Sequence, residues 1–99
     1  MRIISISTLK ELWENNPAFI DEKETALAWY RHVLKADWGS PNMVKRDFGQ
    51  ASVLQDGRVV FNIAGNKYRL IAAVKYQSQI VYIRHILTHI DYGKGKWKQ

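Results

Sequence analysis

The chain contains no cysteine. Disulfides, thiolate metal sites and a cysteine nucleophile are therefore excluded. It has two prolines and six glycines among its 99 residues, too few and too scattered for a linker or a low-complexity tract. No apolar run approaches the roughly 18 residues a membrane span needs. The opening stretch "MRIISISTLKELWENN" has neither a long apolar region nor a small-residue cleavage site, so we expect no signal peptide and a cytoplasmic protein. Three histidines without ligand spacing make no case for a metal, and nothing argues for another cofactor. Carboxylates are scarce too: 9 acidic residues face 15 Lys and Arg, a net charge of +6. Such a surface favours polyanions, either nucleic acid or an acidic protein. At this length a single domain, 1–99, is expected.

What is present changes period half-way. Residues 2–6, "RIISI", are apolar and β-branched, a strand pattern. Ser7 or Thr8 can cap a short helix, Thr8 with Glu11 has capping-box spacing, Leu9, Leu12 and Trp13 fall on one face, and Asn15-Asn16-Pro17 stops that helix. Asp21 with Glu24 starts a second helix, whose stripe Ala26, Trp29, Tyr30, Val33 and Leu34 runs to about Ala36. Ser40 as N-cap and Pro41 at the first turn open a short third helix ended by Gly49, with Met43, Val44 and Phe48 inward and Lys45 and Arg46 outward. After it come strand patterns at 52–54, 58–63, 67–76 and 80–88, joined by loops short enough for hairpins. The fold class predicted is α+β: an N-terminal strand and two to three helices packed on one face of an antiparallel sheet.

Alternation along strands assigns the faces. With Gln77-Ser78-Gln79 as one loop and Ala64-Gly65 as the other, Arg69 falls opposite Leu87, Lys67 opposite His89, and Asn62 opposite Lys67. One face then carries Val59, Phe61, Ile63, Tyr68, Leu70, Ala72, Val74, Ile80, Tyr82 and Ile86, a core face. The other gathers Asn62, Lys67, Arg69, His85 and His89 beside Ile71, Val81 and Ile83. Arg84 points toward the core face in this scheme, and His32 is a surface residue of the second helix. A basic cluster thus lies on an uncovered face, where the last strand runs out into "THIDYGKGKWKQ".

The stretch Val60-Phe61-Asn62-Ile63-Ala64-Gly65-Asn66-Lys67-Tyr68-Arg69, with Thr88-His89-Ile90-Asp91-Tyr92 after it, closely resembles the HigB toxins of the RelE superfamily. Their pattern is V-F-N-[IV]-x-G-N-x-[YL]-R followed by T-H-x-E-Y-D. Upstream, "AWYRHVLKADWGSPNMVKRDF" is similar to the family's helical half, so the resemblance covers nearly the whole chain. Asp91 stands for the usual Glu, and Gly93 for the usual Asp. The resemblance implies a RelE-like fold and a type II toxin: an endoribonuclease that cuts mRNA, usually on the ribosome, without a metal ion. It also implies a cognate antitoxin, typically with a helix-turn-helix domain.

The residues suit that chemistry. RNA supplies its own nucleophile, the 2′-hydroxyl beside the scissile phosphate. A protein has to move its proton, stabilise an anionic transition state and protonate the leaving 5′-oxygen. Arg69 offers a planar, permanent cation on a strand. His89 exchanges protons near neutral pH, and Tyr92 is a second proton-transfer group or a base-stacking platform. Lys67 and Asn62 would hold flanking backbone, and Lys94, Lys96 and Lys98 would add affinity from a tail kept adaptable by Gly93 and Gly95. A non-catalytic RNA- or ribosome-binding domain, or a degenerated toxin, would use the same face and find His89 and Tyr92 dispensable.

Overall fold

The computed structural model describes residues 1–14, 23–63 and 67–98. The elements are β1 (Arg2–Ile4), α1 (Ile6–Glu14), α2 (Lys23–Lys35), α3 (Pro41–Asp47), β2 (Ser52–Val53), β3 (Arg58–Ile63), β4 (Tyr68–Lys75), β5 (Ile80–Thr88) and α4 (His89–Gly93), followed by a 3₁₀ turn at Lys96–Lys98. They form the expected α+β arrangement. The sheet has the order β1-β5-β4-β3-β2, with β1 parallel to β5 and the other neighbours antiparallel.

The helices cover one face. Leu9 of α1, Ala26, Trp29 and Val33 of α2, and Val44 of α3 are buried against Val59, Phe61, Ile63, Leu70, Ala72 and Val74 of the sheet. Phe61 is the hub of this layer. Its ring meets Trp29 edge-on at 5.3 Å, Phe48 edge-on at 5.2 Å and Trp38 in a stack at 6.2 Å. Such pairs add directional preference to plain area burial. Beneath them Asp47 accepts hydrogen bonds from Trp38 Nε1 at 2.9 Å and faces His32 Nε2 at 3.2 Å. The Trp38 bond, with that of His32, holds the Asp47 carboxyl below its ordinary value.

Local details correct the sequence reading. Helix α1 opens at Ile6, two residues ahead of Thr8, because Ser5 turns the chain at φ +71° and its carbonyl accepts from Thr8 N–H at 3.0 Å. The stop at residues 15–17, the start signal at Asp21 and the Ala64-Gly65-Asn66 turn lie outside the described residues. Leu34 is exposed at the margin of the α2 stripe, whereas Ser40 and Pro41 take their expected cap and first-turn places.

Both hairpin loops are longer than predicted. In β3–β4, Asn62 pairs with Arg69 and Ile63 with Tyr68, a shift of two residues that leaves every side chain on its predicted face. In β4–β5, Lys75 pairs with Ile80, a shift of one. Gln79 takes φ +59° in that turn, and its amide donates to Tyr76 O at 2.8 Å and Trp38 O at 2.6 Å. The odd shift turns Val81 and Ile83 into the core in place of Ile80 and Tyr82. A bulge then restores the predicted phase. Ala72 pairs with Ile83 but Ile71 with His85, so Arg84 has no cross-strand partner. Beyond it Arg69 lies opposite Leu87, and Ile86 packs on the core, as predicted. Arg84 itself is exposed with its guanidinium 5.4 Å from the Tyr82 ring, not directed at the core face.

Candidate active site

The site is built where β5 ends. Thr88 remains extended, and its Oγ1 accepts from the Asp91 N–H at 3.1 Å, capping α4. His89 still belongs to the ladder through its N–H, which donates to Lys67 O at 3.1 Å. The Thr-His-Ile-Asp-Tyr motif is therefore a strand end, a cap and one helical turn in succession. Asp91 sits in the first turn, where a carboxylate suits the helix dipole.

This geometry brings the predicted catalytic residues together. Arg69, half-buried on β4, has Nη2 3.2 Å from His89 Nδ1 and Nη1 3.2 Å from Tyr68 O. Its Cζ lies 5.7 Å from the centre of the Tyr92 ring. A guanidinium can only donate, so Nδ1 of His89 accepts and its ring proton resides on Nε2. Among the described residues no ion pair uses Arg69. Its fixed charge is held by a carbonyl, an imidazole and a phenol ring. That arrangement leaves its charge available to an anionic ligand.

The proposed binding residues surround it unevenly. Asn62 is directly across the strand pair from Arg69, not from Lys67. Lys67 is exposed at the same end of the sheet. Lys94 and Lys96 line a cavity of about 360 Å³ together with His85, Leu87, Asp91 and Trp97. Lys94 Nζ stands 3.7 Å from Asp91 Oδ1, an exposed pair of little weight. Of Lys98 only its place in the 3₁₀ turn is described. A side chain at Gly93 would meet open space, so the position usually held by Asp is sterically free.

The open face is less open than the alternation implied. After Gly95, at φ +74°, the tail folds back and buries Trp97 to 6% exposure against Val60 and Ile71, with Leu54, Leu87 and Tyr92 around it. Trp97 stacks on Tyr92 at 5.0 Å and 13° and donates from Nε1 to Tyr92 O at 2.9 Å. Arg58 lies over the Trp97 ring at 5.3 Å. Neither Trp97 nor Arg58 was picked out from the sequence. A lone tryptophan among glycines and lysines was the available signal, since such a ring seeks an apolar surface.

Residues 22–95 match the HigB toxin family, described as the RelE-like toxic component of a toxin–antitoxin system. The chain belongs to that family. Among HigB relatives, it is 31% identical over 94 residues to the mRNA interferase toxin HigB of Escherichia coli (strain K12), covering 93% of this chain and 88% of that one. The mRNA interferases HigB of Escherichia coli O157:H7 and Shigella flexneri match to the same extent. In this HigB toxin the Arg69–His89–Tyr92 group occupies the end of a RelE-like α+β sheet.

Proposed function

We propose that this toxin is a metal-independent endoribonuclease that cuts mRNA on the translating ribosome in the cytoplasm, and that an antitoxin with a helix-turn-helix domain neutralises it. The observation that carries this reading is the Arg69 guanidinium, engaged by His89 Nδ1 and the Tyr92 ring and by no described carboxylate. The names of the relatives as mRNA interferases support it.

In the proposed mechanism Arg69 turns from His89 to the scissile phosphate and stabilises the added negative charge. The 2′-hydroxyl gives its proton to one of the pair His89 and Tyr92 as its oxygen bonds to phosphorus, the P–O5′ bond breaks, and the leaving oxygen takes a proton from the other, giving a 2′,3′-cyclic phosphate and a 5′-hydroxyl. Tyr92 already has Trp97 stacked on it, which favours a role for its hydroxyl over that of a base platform. Asn62 and Lys67 align the strand, while Lys94 and Lys96 hold backbone beside the cavity.

Expression of the chain alone in a bacterial host tests the reading. Growth arrest with rapid shortening of mRNA and intact bulk rRNA is expected, and protein stripped of metal by EDTA and then dialysed free of the chelator should cut ribosome-bound message. Arrest with full-length mRNA would favour a ribosome-binding domain without catalysis. Soluble protein with neither effect would remove the toxin activity from this chain.

A further inference from the structure

We infer that Trp97, gripped by Arg58, is a positioning residue that holds Tyr92 and Arg69 in place for the cleavage proposed above, on whose reading this inference rests. The sequence between Tyr92 and Trp97 is Gly93-Lys94-Gly95-Lys96, which has no apolar side chain to pin it to the sheet. Helix α4 has five residues, far below the length at which a helix is stable alone. Something else must fix the turn that carries Tyr92.

Three contacts of Trp97 do so. Its ring fills the apolar strip of Val60 and Ile71, its Nε1 ties the Tyr92 carbonyl, and its face stacks on the Tyr92 ring. Arg58 secures Trp97 from the other side of the sequence. Its guanidinium lies over the indole, and Nη1 reaches Trp97 O at 3.4 Å. Arg58 is itself fixed by Asp56, which accepts from its Nε at 2.6 Å and from its backbone N–H at 3.1 Å. A continuous series, Asp56–Arg58–Trp97–Tyr92–Arg69, therefore runs over the sheet from the β2–β3 turn to the catalytic end.

Trp97 carries no charge, and its stack and its Nε1 bond both reach the reacting groups through Tyr92. That separates it from Lys94 and Lys96. Losing the stack should displace the reacting groups and lower kcat, whereas losing lysines should weaken binding.

The experiment compares Trp97→Leu, Trp97→Phe and the wild type on ribosome-bound message, below their melting temperatures. Tyr92 ring resonances are followed by NMR. Trp97→Leu should lower kcat on the order of 10- to 100-fold, with KM within about twofold. Trp97→Phe keeps an aromatic face and should recover most of the rate. The Tyr92 signals should lose their ring-current displacement in the Leu variant only. Wild-type kcat in Trp97→Leu, or a raised KM with kcat retained, overturns the inference while leaving the ribonuclease reading standing. If the wild type itself cuts no message, the ribonuclease reading falls. The resonances then decide alone: moved in Trp97→Leu they uphold the positioning of Tyr92, unmoved they overturn it.

Discussion

The sheet is covered on its two faces by different means. On one, three helices lay down a continuous apolar layer centred on Phe61. On the other, the C-terminal tail supplies one buried tryptophan over Val60 and Ile71, and Arg69, His85, His89, Lys94 and Lys96 lie around it beside Asn62, Leu87 and Asp91. The first face has enough apolar area to hold the fold. The second has enough to hold one turn of helix in register over Arg69 and leaves its charge accessible. Stability and the proposed chemistry are thus divided between the two sides of the same strands, with β4 and β5 presenting residues to each.

Substitutions can test that division. Phe61→Ala should cost about 3–5 kcal/mol, since it removes the ring on which Trp29, Trp38 and Phe48 converge. Val60→Ala, on the opposite face of the neighbouring position, removes two carbons at ~0.8 kcal/mol each and should cost about 1.6 kcal/mol. Denaturant melts of both variants check the ranking. Equal losses would mean the tail is as much a core as the helices are.

Arg69→Ala should leave the melting curve nearly unchanged and reduce cleavage on the order of 100-fold or more. Arg69→Lys should recover little, since an ammonium lacks the planar two-pronged contact. His89→Gln should lower kcat and remove one limb of its pH profile, with RNA affinity nearly kept. Single-turnover rates beside binding isotherms separate these effects. A rate retained in Arg69→Ala would move the centre elsewhere on the sheet. The smallest effect belongs to the rim: Lys94→Gln with Lys96→Gln should flatten the salt dependence of RNA binding by roughly 0.7 log-log units per lost contact. A fall in kcat at saturating RNA would place these lysines among the reacting groups instead.

Much of this division was legible in the alternation of residues 58–75, because an error of two residues in the β3–β4 loop preserves parity. Arg69 was placed opposite Leu87 for a less direct reason. The β4–β5 turn is one residue longer than its polar residues suggested, and the bulge at Arg84 shifts the register back by one. Between turn and bulge the faces were inverted, so Ile80 and Tyr82 were expected in the core where Val81 and Ile83 lie. Nothing local marks either event: Tyr76 has a good strand side chain, and "YIRHIL" alternates acceptably in either phase. The contacts of Trp97 and Arg58 were beyond local pattern, because they join residues 39 apart in sequence through a tail that carries no periodicity.

The bulge also makes the chain's length here informative. Without Arg84 the alternation along β5 would be regular: Ile83 inward, His85 outward, Ile86 inward, each keeping its present partner on β4. A deletion of that single residue therefore conserves the core and straightens the strand. Leu87 and Thr88 would still face Arg69 and Tyr68, so the turn bearing His89 and Tyr92 would keep its place over Arg69. The site is thus indexed to its own end of the strand pair and indifferent to how many residues of β5 precede it.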